Sequence, residues 1–279
     1  MNSELRHLPL PSGRILPVLG QGTWHMGEVE KQRITEVRAL QLGIDLGMTL
    51  IDAAEMYADG GAEQVVGEAI SGRRGDVCLV SKVYPHNASR KGTFLACERS
   101  LQRLKTDHLD LYLLHWRGSV PLEETLSAFE DLRRAGKIRD FGVSNFDKSD
   151  MEQITTIGGG ENTATNQVLY NLHRRGIERD LLPWCSQRGI PVMAYSPIEQ
   201  GRLLAPLRAF AERRSLTAAQ VALAWVLRQE GVIAIPKAGN IQHVSENRAA
   251  ADVVLSAQEL AELDKLYPRP TKKTSLEML

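Results

Sequence analysis

The sequence predicts a closed (β/α)8 barrel of the TIM type preceded by a β-hairpin, and three observations carry that prediction. Short apolar runs rich in Val, Leu and Ile recur along the chain, each separated from the next by a helical pattern, as when buried parallel strands alternate with the helices that cover them. Eight such strand–helix units are present with no break in composition, so residues 1–279 read as one domain, a length that suits a barrel of roughly 250 residues. Asp52, Lys82 and His115 stand at or just beyond the C-terminal ends of three successive runs, and Tyr57 follows shortly after the first. A closed barrel brings those strand ends to one face, where its loops build a site.

The elements follow in order. RHLPLPSGRILPVLG reads as a hairpin turning at Pro11-Ser12-Gly13, and a strand runs from Val18 to Thr23. A helix from about Lys31 to Gly47 leads into MTLIDAAEMY, whose strand ends at Asp52. Ala62, Val65, Val66, Ala69 and Ile70 recur at helical spacing and form one buried stripe. The strand Val77 to Lys82 precedes a helix carrying Phe94, Cys97, Leu101 and Leu104, and the strand Leu109 to Leu114 precedes one carrying Leu122, Leu126, Phe129 and Leu132. That helix closes at Ala135-Gly136-Lys137, where glycine suits the cap and lysine the negative helix end. The remaining strands are IRDFGVS, TATNQVLY, IPVMAYS and VIAIP, with helices from about Asp147, from about Glu178, through Ala218 to Val226, and from Ile241 onward. Gly158-Gly159-Gly160 falls in a helix-to-strand turn, on the face away from the site.

Composition removes several classes of function. Lys+Arg 34 balances Asp+Glu 34, so no general electrostatic case exists for nucleic acid or a membrane surface. The start MNSELRHLPL has no apolar signal region, and no run approaches the roughly 18 apolar residues of a membrane span. The expected location is the cytoplasm. Cys78, Cys97 and Cys185 are far apart, odd in number and set in apolar patterns, as buried thiols in a reducing compartment are. No metal site is expected. An open dinucleotide-binding sheet is disfavoured too, because its G-x-G-x-x-G turn would fall at Gly20-Gln21-Gly22-Thr23-Trp24-His25, which lacks the third glycine.

IDAAEMY, the strand end at Lys82, SLQRLKTDHLDLYLLHW, GVSNF, TNQVLYN, AYSP and IPKAGNIQHVSEN occur in the order and spacing of the aldo-keto reductases, and the resemblance covers nearly the whole chain. It implies a hairpin-capped barrel that binds NADPH in extended form and a catalytic tetrad of Asp52, Tyr57, Lys82 and His115. The chemistry of such a tetrad also follows from its residues. Hydride reduction of a carbonyl creates an alkoxide, which needs a proton donor and hydrogen-bonding groups around the oxygen. Tyr57 is the general acid, and a nearby Lys82 ammonium lowers its pKa from about 10. Asp52 anchors that buried lysine, and His115 orients the carbonyl through a ring N–H.

The same register implies the cofactor contacts. Ser144, Asn145 and Gln167 fall where relatives bond the nicotinamide carboxamide; their alternatives are helix caps and a satisfied core amide. Tyr195 stacks on the nicotinamide beside Ser196, Thr23 and Trp24 lie at its mouth, and Trp116 joins Trp24 as an aromatic wall. Lys237 meets the pyrophosphate or 2′-phosphate, with Glu246 and Asn247 on the adenine side. Two departures bear on the preference for NADPH over NADH: Ala238 stands where a serine is frequent, and His243 where an arginine is. Ala53 replaces a frequent threonine without touching the tetrad. The segment from His115 to Pro121 and the tail after Tyr267 are short, which suggests an open site for small aldehydes and 2-oxoaldehydes, as in bacterial methylglyoxal-reducing members of the family. The competing reading is a nucleotide-binding regulatory protein with slow or vestigial turnover. A metal-dependent barrel hydrolase fails because His115 has no ligand at metal spacing on its strand. No obligate protein partner is evident.

Overall fold

The computed structural model of the protein describes residues 4–279. Strands β1 (His7–Pro9) and β2 (Ile15–Pro17) pair antiparallel about the turn expected at Pro11-Ser12-Gly13, where Gly13 has φ 86°. Leu10 and Leu16 of this hairpin are buried against Leu50, Val80, Leu111 and Ile233 of the barrel interior. Ser12 and Arg14 bond Asp140 near the start of its strand. The hairpin therefore plugs the barrel end opposite the site.

Eight parallel strands follow in chain order: β3 (Gln21–Gly22), β4 (Leu50–Asp52), β5 (Cys78–Val83), β6 (Leu109–Leu114), β7 (Ile138–Ser144), β8 (Asn166–Leu169), β9 (Val192–Tyr195) and β10 (Val232–Ala234). Parallel bridges Leu19↔Ala234 and Gly22↔Lys237 close the sheet, with Gly22 N donating to Pro236 O at 3.0 Å. A Cβ on Gly22 would stand 2.7 Å from the Ile235 carbonyl oxygen. The G-x-G of this turn thus serves barrel closure.

The helices are α1 (Arg33–Asp45), α2 (Gly61–Ala69), α3 (Arg90–Leu104), α4 (Leu122–Arg134), α5 (Lys148–Ile154), α6 (Leu181–Ser186), α7 (Leu204–Glu212), α8 (Ala218–Leu227), α9 (Ile241–Ala249) and α10 (Ala257–Leu266). The apolar stripes visible in the sequence are the faces they bury: Ala62, Val65, Val66 and Ala69 of α2 are fully buried, as are Phe129 and Leu132 of α4. Gly136 takes the left-handed φ 72° expected after α4. Gly160 is confined more tightly, because a Cβ there would meet the Ile154 carbonyl oxygen at 1.8 Å.

Several expectations need correction. Strands β3, β8 and β10 are shorter than their apolar runs, because residues near the rim leave the ladder while their side chains stay buried. The chain enters α1 through a 3-10 turn at Glu30–Gln32, so regular helix begins after Lys31. Two helices, α7 and α8, follow β9 where the sequence signalled one, and α10 adds a further capped helix. Cys97 and Cys185 are buried, with burial pushing both thiols up to about 12, but Cys78 is only half-buried. Among the described residues no helix is long and apolar enough to cross a membrane, and no group of three metal-binding side chains occurs.

Candidate active site

Strand alternation sets the site. Leu50, Val80 and Leu113 belong to the cluster inside the barrel, so the residues two positions further on, Asp52, Lys82 and His115, point the same way at its open end. Lys82 is fully buried and Asp52 is 2 % exposed. The Lys82 ammonium donates to Asp52 Oδ2 at 2.8 Å, to the Ala53 carbonyl at 2.9 Å and to Tyr57 Oη at 3.2 Å. Tyr57 comes from a 3-10 turn (Tyr57–Gly60) after β4, and Ala58, Asp59 and Gly60 all have positive φ. The His115 ring lies edge-on to Tyr57, with centroids 5.6 Å apart. The structure brings all four expected residues together.

Their electrostatics follow from burial and pairing. Burial alone lowers the Lys82 pKa, but the Asp52 carboxylate and Tyr57 outweigh it, leaving Lys82 above the ordinary lysine value and charged. Burial raises Tyr57, and Lys82 opposes this only in part, so the phenol lies above its ordinary value. From the sequence the phenol was expected to be lowered, and it is not. The Lys82 attraction acts in that direction but is outweighed, because the ring is taken out of water as well. His115 lies well below the ordinary histidine value, through burial first and Lys82 second, so its ring is neutral at pH 7. Its Nδ1 is buried without a hydrogen-bond partner among the described residues.

A cavity of about 710 Å³ opens over these groups. Thr23, Trp24, Trp116, Ser144, Asn145, Gln167, Tyr195, Ser196 and Lys237 line it, as the sequence led one to expect. Asp147 caps α5, so Ser144 and Asn145 are free of that role. Ser144 Oγ donates to the Gln167 carbonyl at 2.8 Å, Asn145 Nδ2 donates to the His115 carbonyl at 3.1 Å, and Tyr195 Oη donates to Asn145 Oδ1 at 2.9 Å. Gln167 departs from expectation in one respect: its Nε2 donates to Asp52 Oδ1 at 2.7 Å, which ties it to the tetrad. Thr23 Oγ1 likewise donates to the Asp52 carbonyl, and Trp24 stacks on His25 with centroids 4.1 Å apart.

A second cavity of about 390 Å³ holds His243, Glu246 and Asn247 and shares Ile198 and Lys237 with the first. The two form one groove with an exposed lysine at their junction. His243 is exposed on the first turn of α9, where its backbone N–H bonds the capping Asn240.

Against known proteins, residues 18–268 match the aldo/keto reductase family. The chain belongs to that family. It is 58% identical over 271 residues to methylglyoxal reductase YeaE of Escherichia coli (strain K12), covering 95% of each chain, and 35% identical to glyoxal reductase of Bacillus subtilis (strain 168), covering 92% and 91%. An aldo/keto reductase from Klebsiella pneumoniae, solved in complex with NADP and acetate, superimposes with TM-score 0.96 at 54% identity, covering 99% of this chain and all of that one.

Sequence reasoning missed part of this reductase's cavity wall. Met278 and Leu279 of the tail line it, as do Met56 and Gln200. Met278 and Leu279 help to enclose the cavity, so the site is less open than the sequence suggested. Nothing in KKTSLEML has the periodicity that would have placed them there.

Proposed function

We propose that residues 1–279 form one catalytic domain that reduces small aldehydes and 2-oxoaldehydes to alcohols with NADPH. The observation that carries this reading is the Asp52–Lys82–Tyr57 chain beside a neutral His115, at the floor of a groove whose two cavities share a lysine. The groove fits the cofactor: amide and hydroxyl groups line the catalytic end, and exposed Lys237 has no ion-pair partner among the described residues. Ser144, Asn145, Gln167, Tyr195 and Ser196 would hold the nicotinamide end with Thr23 beside it. Lys237 and His243 would meet phosphate, and Glu246 and Asn247 the adenine.

NADPH, when bound there, would supply the hydride for the carbonyl carbon. The protein does the rest. Trp24 and Trp116 wall the substrate, and His115 directs a ring N–H at the carbonyl oxygen. Tyr57 holds the proton that this oxygen takes up as it becomes an alcohol, and a raised pKa keeps that proton on the ring until negative charge develops. Lys82 then stabilises the phenolate at 3.2 Å, and Asp52 keeps the lysine charged and in place. A neutral His115 donates without adding a second buried cation.

The similarity to a methylglyoxal reductase and a glyoxal reductase supports a 2-oxoaldehyde substrate. The balanced charge and the absence of a membrane-crossing helix among the described residues are consistent with a cytoplasmic enzyme acting on a small molecule, without nucleic acid, membrane or obligate protein partner. NADPH absorbance followed with methylglyoxal and a panel of aldehydes tests the reading. Oxidation of NADPH is expected; tight NADPH binding with no turnover across the panel would favour the regulatory alternative.

A further inference from the structure

Arg174 lies in the turn after β8, outside the tetrad, yet it joins two walls of the reaction cavity. Its guanidinium donates to Glu199 Oε1 through Nε at 3.0 Å and pairs with the same oxygen through Nη2 at 2.9 Å, while Nη1 reaches Glu277 Oε1 at 2.5 Å. Glu199 is 2 % exposed and also accepts from Asn171 Nδ2 at 2.6 Å and from Arg202 at 3.2 Å. Burial pushes its carboxyl up, but the bonds from Arg174 and Asn171 outweigh this and hold it below the ordinary carboxylate range. Glu199 and Gln200 have φ 50° and 53°, a left-handed conformation that non-glycine residues keep only under constraint.

Each carboxylate belongs to a segment that faces the cavity. Glu199 sits between Ile198 and Gln200, and Ile198 also lines the second cavity. Glu277 directly precedes Met278 and Leu279 at the mouth. We propose that Arg174 is a positioning residue that clamps the tail to the Ser196–Gly201 loop, so that one guanidinium governs both aldehyde affinity and cofactor retention. A planar fork serves two carboxylates at once, which a single ammonium does poorly. The proposal rests on the reading of the groove as an NADPH and aldehyde site.

Two variants of the full chain separate the arms of the clamp. Glu277→Gln releases the tail alone: KM for methylglyoxal is expected to rise about two- to fivefold, the scale of a partly exposed ion pair, with kcat within about twofold and NADPH affinity unchanged. Arg174→Lys loosens both arms, so the same rise in KM is joined by NADPH binding weakened about two- to fivefold in a fluorescence titration. Trypsin should cut after Lys272 and Lys273 faster in both variants than in the parental chain. Unchanged KM and NADPH affinity in Arg174→Lys, or a loss confined to kcat or melting temperature, overturns the clamp. If the parental chain neither binds nor oxidises NADPH, the functional reading fails by itself; equal tryptic cleavage of all three proteins then sinks the clamp separately.

Discussion

At the floor of the first cavity Lys82 is fully buried and bonded to three oxygens, whereas at the junction with the second cavity Lys237 is exposed and without an ion-pair partner among the described residues. The first lysine is ordered before any ligand arrives, by Asp52, the backbone and a phenol. Preorganised charge acts on a transition state at no reorganisation cost, while exposed charge contributes to binding and is screened by solvent. Substitutions around the first lysine should therefore change turnover and folding, and those around the second, where we place the cofactor phosphates, should change cofactor affinity alone.

The sharpest break of that contrast is Lys82→Met. It leaves the Asp52 carboxylate buried with Gln167 Nε2 as its one remaining hydrogen-bond donor among the described residues, so thermal or denaturant unfolding should show a loss of about 3 kcal/mol, and turnover should collapse with it. Lys237→Ala, the matching change at the other end, should leave the melting temperature nearly unchanged. Comparable melting losses in the two variants would erase the distinction.

Tyr57→Phe removes one oxygen and little packing. Aldehyde turnover should fall roughly 100-fold or more, the scale of lost general acid catalysis, while NADPH binding stays near parental. Turnover near parental would take Tyr57 out of the mechanism. The raised phenol predicts the pH profile too: Tyr57 protonated and Lys82 charged are both required, both values are pushed up, and reduction should stay flat through neutral pH, falling only above about 10.

His115 gives a smaller effect with a definite sign. Its folded value lies well below that of an unfolded histidine, so below about pH 6.5 the unfolded chain takes up a proton that the folded chain refuses. Stability from this group is present above that pH and is lost on acidification, by up to about 1.4 kcal/mol per pH unit. Unfolding titrations of the parental chain and His115→Gln between pH 5 and 7 should differ by a slope of this sign. Parallel curves would show that the ring titrates normally.

The contrast between the two ends also explains what the sequence made legible. Asp52, Lys82 and His115 were readable because strand parity ties each to an inward leucine or valine, and Lys237 and the α9 residues were readable through their motif. Tyr57 was readable from its place just beyond the first of those runs, but the turn that delivers it, with three successive positive φ values, is encoded by no periodicity. Arg174, Glu199 and Met278 were invisible: their places come from an ion pair between segments about 100 residues apart and from a strained loop, both of which exist only once the barrel has closed. Gln167 was placed correctly and its partner was not, because a side-chain amide chooses among acceptors that only the fold brings near.

The second cavity, where we place the adenosine, offers the smallest effect, through His243. Its ring is exposed on the first turn of α9, and its Nδ1 lies 3.1 Å from Asn240 Nδ2, while the helix cap itself uses only the His243 backbone, whose N–H donates to the Asn240 side-chain oxygen Oδ1. A change of side chain therefore spares the cap. In His243→Arg a permanently charged fork enters the cavity that also holds Lys237, where we place the 2′-phosphate. A charge-assisted bond contributes about 1.5 to 3 kcal/mol in favourable sites, and exposure reduces that to about 1 kcal/mol here, or about fivefold in dissociation constant. NADH lacks the 2′-phosphate, so its affinity should move less than about twofold. Fluorescence titrations of both cofactors, repeated at higher salt, decide the matter: the NADPH gain should shrink as screening rises. Equal gains for NADH and NADPH would mean that position 243 faces the phosphates common to both, and the adenosine would have to sit differently in the second cavity.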